Sequence, residues 1–278
     1  MNLKWYKIDV KSKKNFTPPF FAGSMLRGAF GIALKRVVCI NPTYKCNNCF
    51  SCNNCIYYDF YEVENSFKKY KISSKLSMKR LSFSIYLYDE TTQELPYILS
   101  AIKKSLEEVG VGKEKQQVEL SEISIGSKIV YNGKDFLPIV DVKPYEFKCN
   151  EYYQNIELNF SMPMSLKYKN QYVTKDKVSL YILITNLHKR FAELKGLPTK
   201  KIDFKIEGEI VQNSLKFIDL FRYSNRKKRR MKFTGLIGKV VIKGIDRRSY
   251  EYLKLGEIIG IGKQTVFGLG DYTIRAID

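Results

Sequence analysis

Histidine is almost missing from this sequence: there is one in 278 residues, His188. Any proton transfer that depends on an imidazole must therefore run through that side chain. Acidic residues are also scarce, with 28 Asp and Glu against 48 Lys and Arg, a formal charge of +20. A chain this basic points to a polyanionic partner. Long apolar runs are lacking too. The longest, around residues 180–184, is far shorter than a membrane span, and the opening Met-Asn-Leu-Lys-Trp-Tyr has no apolar core of the kind an export signal carries. These absences turn the expected partner from lipid to nucleic acid, with a cytoplasmic location and no membrane partner. The chain also has no G-x-x-x-x-G-K-[ST] phosphate loop and no dinucleotide fingerprint opening a helix.

What is present suffices for a folded protein of two ordinary domains, with 44% hydrophobic residues in periodic segments. Five of the six cysteines, Cys39, Cys46, Cys49, Cys52 and Cys55, fall within seventeen positions, with C-x2-C-x2-C-x2-C at the centre. In a chain without an export signal that spacing reads as metal ligation before disulfides. It favours a structural zinc over an iron–sulfur cluster, because the last gap is one residue short of the bacterial cluster run and Ile56 stands where that run has proline. Five thiols for four positions leave one redundant.

The periodicity predicts a strand over 2–10 and a helix from Ser24, as its cap, to residue 38. Strands over 81–88, 118–124 and 128–131 enclose a second helix over 95–109. This is a βαββαβ order, the ferredoxin-like plan. Arg27, Lys35 and Arg36 lie off the apolar face of the first helix, and Gly28 and Gly31 within it imply close packing. After a linker over 141–153 the order repeats: a strand over 156–162, a helix over 176–194, strands over 202–211 and 233–242, a short helix over 247–255 and a final strand. The fold class is α+β, with domains 1–150 (carrying the cysteine insert 39–58) and 151–278.

Two features of the second half carry chemistry. Residues 222–232 contain seven basic residues in eleven and no acid, among them Arg222, Arg226, Lys227, Lys228, Arg229 and Arg230, beside Tyr223. A basic loop held between strands suits phosphate contacts with a stacked base. Near the C-terminus, Gly260-Ile261-Gly262-Lys263-Gln264 and Gly268-Leu269-Gly270 form a glycine-rich loop over 260–270. Paired glycines there predict a tight loop whose amides face a ligand, and Lys263 predicts that the ligand carries phosphate.

Taken in series, several stretches resemble the CRISPR-associated endoribonucleases of the RAMP superfamily that process precursor CRISPR RNA, in a branch with a cysteine-bearing insert. They are Gly23-Ser24-Met25-Leu26-Arg27-Gly28-Ala29-Phe30-Gly31, Cys55-Ile56-Tyr57, Gly110-Val111-Gly112, Phe160-Ser161-Met162-Pro163-Met164-Ser165-Leu166-Lys167, Arg222-Tyr223-Ser224-Asn225-Arg226, Gly235-Leu236-Ile237-Gly238 and the glycine loop. The resemblance implies tandem ferredoxin-like (RRM-like) domains, with Gly260, Gly262, Gln264, Gly268 and Gly270 at the repeat RNA. It also implies cleavage without a catalytic metal, by attack of the upstream 2′-OH to leave 2′,3′-cyclic phosphate and 5′-OH ends. Expected partners are CRISPR repeat RNA in the precursor transcript and other CRISPR effector or adaptation proteins. Relatives commonly carry histidine on or near the first helix and often at the place of Gly260; this chain departs at both. Catalysis then falls to His188 or to a lysine–arginine–tyrosine set drawn from Arg27, Lys35, Tyr223, Arg226 and Lys263. Two other readings stay open: a non-catalytic RAMP subunit holding guide RNA in an effector complex, and a nucleic-acid-binding module in which the cysteine insert touches the partner.

Overall fold

The computed structural model describes every residue except 15, 65, 225–228 and 278. It divides into two compact units, Met1–Glu146 and Phe147–Asp278.

In the first unit, β1 (Lys4–Ser12) buries Tyr6, Ile8 and Val10 on one face, as period-two alternation requires. Helix α1 (Gly23–Val38) buries Leu26, Phe30, Ala33 and Leu34. Its cap is not Ser24: the N-cap position is Ala22, whose carbonyl accepts from the Leu26 amide, with no side-chain cap. A short α2 (Ile56–Tyr61) follows the cysteine insert, then β2 (Tyr70–Ser74), β3 (Ser82–Tyr88), α3 (Leu95–Glu107), β4 (Leu120–Ile125), β5 (Lys128–Tyr131) and β6 (Tyr145–Glu146). The sheet order is β2-β3-β1-β4-β5, all antiparallel, with β6 also pairing β1. Two differences from the sequence reading stand out. Strand β2 was invisible because Tyr70, Lys71 and Ile72 are buried in succession, which erases the alternation. The expected linker supplies an edge strand, with Glu146 opposite Lys4 and Tyr145 opposite Trp5.

The second unit repeats the plan: β7 (Ile156–Met164), the small hairpin β8 (Lys167–Tyr168) and β9 (Gln171–Tyr172), α4 (Leu180–Leu194), β10 (Glu209–Asn213), β11 (Lys216–Ser224), β12 (Arg229–Lys243), α5 (Arg247–Ile259) and β13 (Tyr272–Ala276). Its sheet runs β10-β12-β7-β13, and β11 pairs along β12. Both units therefore have the ferredoxin-like strand order, and each turns one sheet face onto two helices. Ser179 and Asp246 cap α4 and α5, their side-chain oxygens accepting from the amides three residues on. Leu158, Phe160, Leu183, Leu187, Val240, Leu253 and Tyr272 form the core between helices and sheet. The strand expected over 202–211 starts only at Glu209. The described flanks of the expected basic loop are strand, 222–224 in β11 and 229–232 in β12, and β11 turns its aromatics Phe217, Phe221 and Tyr223 outward.

Candidate functional site

The glycine loop joins α5 to β13, and its backbone is largely satisfied by its own unit. The Gly260 amide donates to the Gly256 carbonyl, Ile261 to Gly270, Lys263 to Ser165 and Gly270 to Pro163, each at 2.8–3.0 Å. The Gly262 amide donates to the Asn186 side-chain oxygen at 3.0 Å. These amides are turned inward, which corrects the expectation that they face a ligand. The glycines serve close packing: a Cβ on Gly270 would lie 1.9 Å from the Ile261 oxygen, and one on Gly262 would lie 2.6 Å from the Ser165 oxygen, both at left-handed φ.

Arg190, on α4, locks this loop from beneath. Its guanidinium donates to the Ile259 carbonyl at 3.0 Å, the Gly262 carbonyl at 3.1 Å and the Thr265 hydroxyl. It is 9% exposed. The sequence reading missed it, although an arginine three residues after Leu187, within the apolar stripe of an amphipathic helix, was the available signal.

What the loop presents to solvent is its tip, Lys263 and Gln264, with Gln264 at φ 67°. The Lys263 ammonium is held below the ordinary lysine range, first by partial burial and then by repulsion from Lys167 and Lys189; Glu193 opposes this. Three ammonium groups from the loop, from β8 and from α4 thus share one region. The hairpin docks beside it. The Arg222 guanidinium lies 4.6 Å from the Phe267 ring centre and 5.1 Å from that of Phe233, and the two rings are 5.1 Å apart. Arg222 is thereby used to join hairpin to loop, while Arg229, Arg230 and Tyr223 are exposed. Arg230 stacks on Phe221 at 4.1 Å. Arg226, Lys227 and Lys228 lie outside the described residues.

His188 has both ring nitrogens engaged. Nε2 is 2.9 Å from the Lys200 carbonyl, which can only accept, so Nε2 carries the proton; Nδ1, 2.8 Å away, accepts from the Tyr252 hydroxyl. Burial raises the Tyr252 pKa and keeps that O–H in place. The arrangement ties the 199–204 segment to α4, with Phe204 stacked on Tyr252 and Arg248 over Phe204.

In the first unit, α2 covers the basic side of α1. Arg27 lies 4.4 Å from the Tyr61 ring centre and reaches the Phe60 carbonyl, and Lys35 lies 5.0 Å from that of Tyr57. Tyr57 and Tyr61 stack at 5.2 Å, and the Tyr61 hydroxyl donates to the Arg27 carbonyl. Gly31 admits the Tyr61 ring, which a Cβ would meet at 2.5 Å, whereas Gly28 meets nothing within 4 Å. Arg27 and Lys35 are thus occupied by aromatic faces of their own unit. Just before α2, Cys39, Cys46, Cys49, Cys52 and Cys55 all line one small pocket of about 20 Å³. Asn41 organises it, donating to the Cys49 sulfur at 3.5 Å and to the Lys45 carbonyl at 3.0 Å. Among the described residues no group of three or more Cys, His, Asp or Glu is drawn together at metal-holding distance.

Comparison with known proteins gives the same two-part division. Residues 1–142 match the family described as AF_1859_N, N-terminal domain, and residues 158–272 match CRISPR-associated endoribonuclease Cas6. An uncharacterized protein of Archaeoglobus fulgidus is 25% identical over 93% of both chains. Among solved structures, a Cas6 product complex aligns with a TM-score of 0.60 at 13% identity, covering 98% of this chain and 99% of the other. Thermus thermophilus Cas6 aligns at 0.57, also 13% identical, covering 98% of each. These likenesses establish the fold along the whole chain. The chain belongs to the family described by the AF_1859_N N-terminal domain, whose match spans just over half of it, and its second unit carries the match to the CRISPR-associated endoribonuclease Cas6 family.

Proposed function

We propose that the chain cleaves repeat RNA in the CRISPR precursor without a catalytic metal, with Lys263 at the reacting phosphate. The carrying observation is the depressed Lys263 ammonium on a rigid loop tip, with Lys167 and Lys189 beside it. In this reading the neutral Lys263 amine takes the proton of the 2′-OH, and the 2′-oxygen attacks the adjacent phosphorus. The bond from phosphorus to the 5′-oxygen breaks, and that oxygen takes a proton from water, since Tyr223 is turned outward on the face of β11 opposite Arg222. The products are a 2′,3′-cyclic phosphate and a 5′-OH. A lysine whose pKa is lowered offers more neutral amine as a base than an unperturbed one, and neighbouring cations stabilise charge on the phosphate oxygens. Arg226 is a further candidate cation there. His188 serves in this reading as a strut, since its proton and its lone pair are both engaged.

The same proposal gives the cysteine insert a structural zinc. Thiolates are the donor set zinc prefers, and an amide donor such as Asn41 on a ligating sulfur is the usual outer support. The metal would fix the insert and take no part in cleavage.

The test is cleavage of end-labelled repeat RNA in EDTA, with a matched RNA carrying one 2′-deoxy nucleotide at the cut site. We expect cleavage of the first and none of the second, a kcat lowered about 10²–10⁴-fold in Lys263→Ala, and cleavage retained in His188→Ala. Cleavage of the deoxy substrate would overturn the 2′-OH chemistry. Full activity in Lys263→Ala would overturn the assignment of the base. Tight repeat binding without any cleavage would return the chain to the guide-holding reading.

A further inference from the structure

The second unit carries an aromatic and basic groove of which the cleavage reading uses only Lys189. It has a volume of about 540 Å³ and lies along α4. Tyr181, Thr185, His188 and Lys189, spaced four, seven and eight residues from the first, form one wall, and the segment from Thr199 to Ile206 forms the other. The bonds from His188 to Lys200 and Tyr252 hold the two walls together.

The mouth is built by the β8–β9 hairpin. Lys167 pairs with Tyr172 and Tyr168 with Gln171, across a two-residue turn whose residues Lys169 and Asn170 both have positive φ, 47° and 65°. Such a turn is stiff, so it presents its side chains in fixed directions. Tyr168 meets Tyr181 edge-on at 6.3 Å, and Lys167 lies over the Tyr172 ring at 4.7 Å. Exposure is 38% for Tyr168, 65% for Tyr172 and 51% for Tyr181. Tyr168 and Tyr181 lie together at the groove, while Tyr172 is on the other face of the hairpin; two large rings left in water at one place are uncommon on a surface that has no use for them.

Basic side chains predominate around them. Lys189, Lys200 and Lys201 line the groove and no carboxylate does among the described residues, while Glu193 pairs with Lys189 at 3.8 Å and Asp203, in the far wall's segment, pairs with Arg248 at 3.2 Å. Lys167 and Lys189 also act on Lys263, so this field is continuous with the loop tip. Separated aromatic faces with ammonium groups beside them are what a flexible polynucleotide needs: rings for bases, cations for phosphates, and no base-edge readout. A duplex keeps its bases stacked inside and would leave the rings bare.

We propose that a single-stranded RNA segment flanking the recognised repeat runs from the glycine loop over the β8–β9 hairpin into this groove, its bases stacked on Tyr168 and Tyr181 and its phosphates met by Lys189, Lys200 and Lys201. This rests on the cleavage reading only for the identity of the adjoining RNA. It makes the surface a non-specific grip on whatever sequence adjoins the repeat.

The experiment compares the Kd of full-length protein for repeat RNA alone and for the same RNA carrying an eight-nucleotide single-stranded extension, placed at the 5′ end in one substrate and the 3′ end in another. In wild type, one extension is expected to tighten binding about tenfold or more, the contribution of one or two stacked bases. Tyr168→Ala with Tyr181→Ala should bring that ratio to about one, while the matching pair of Tyr→Phe changes should keep it, since phenylalanine still stacks. Lys200→Gln with Lys201→Gln should flatten the slope of log K against log salt for the extended RNA by about 1.4. No gain from either extension in wild type, or a gain that survives in the alanine pair, overturns the groove assignment. If wild type neither binds nor cleaves the repeat alone, the cleavage reading has failed instead.

Discussion

Replacing Arg190 with methionine isolates what holds the glycine loop. The change keeps most of the aliphatic stem and removes three donated hydrogen bonds, to the Ile259 carbonyl, the Gly262 carbonyl and the Thr265 hydroxyl. Hydrogen bonds from a charged donor contribute about 1.5–3 kcal/mol each, and acceptors left buried without a partner cost about 1–3 kcal/mol each. Shared among three bonds of one side chain, which do not add, the expected loss is about 3–5 kcal/mol. The loss should fall on local opening of the loop, because two units need not unfold in one step. Amide hydrogen exchange over residues 259–270 reads it directly. Protection of Ile261, Gly262 and Gly270 should fall by about two to four orders of magnitude, with the β7 amides much less affected, and cleavage should fall with it. Arg190→Lys should recover part of the protection, since one ammonium can reach one or two of the acceptors. Exchange in Arg190→Met within a few-fold of wild type over 259–270 would refute the idea that this guanidinium fixes the loop.

Other consequences are as direct. Gly270→Ala should destabilise the loop by about 2–4 kcal/mol, from a Cβ placed against the Ile261 oxygen at positive φ, seen as early exchange of the same amides. If neutral Lys263 is the base, single-turnover rate should rise with pH through its lowered pKa. Lys189→Gln removes a repelling cation, raises that pKa and moves the rising limb to higher pH; an unmoved limb would detach the rate from Lys263. Purified protein should contain one zinc per chain, lost in Cys46→Ser with Cys49→Ser and kept in Cys149→Ser, by elemental analysis. Breaking the stacking of Arg222 with Phe267→Leu should weaken cleavage several-fold more than repeat binding, because the hairpin would lose its anchor on the loop.

Most of the fold was legible because both units bury one face of each strand and one stripe of each helix. Alternation in β1 and β7 and the helical stripes of α3 and α4 could be read from spacing alone, and the repeated βαββαβ order followed. The failures have local causes. Strand β2 carries consecutive buried residues, including Lys71, and β11 carries its aromatics outward, so neither shows the pattern of a half-buried strand. At the site, the positions of the glycine loop, the basic hairpin and Lys263 were visible as motifs. Their relations were not. That Arg222 is held between Phe233 and Phe267, that Arg27 and Lys35 are covered by tyrosines, and that His188 is tied at both nitrogens all depend on contacts between residues at least twenty-two positions apart on one side or more. The tyrosines of β8–β9 escaped notice because a strand of two residues has no period to detect.

The inward turn of the glycine-loop amides has a consequence for how such an enzyme can change. A loop that bound phosphate through its own N–H groups would have its specificity written into the main chain, where almost any substitution disturbs it. Here the main chain is spent on Arg190, Asn186, Ser165 and Pro163, and only the side chains of Lys263 and Gln264 face outward. The loop is a fixed mount with two exchangeable heads. The side chains at positions 263 and 264 can be exchanged while the mount stays as it is, so a lineage could change what the loop tip contacts without first losing the fold.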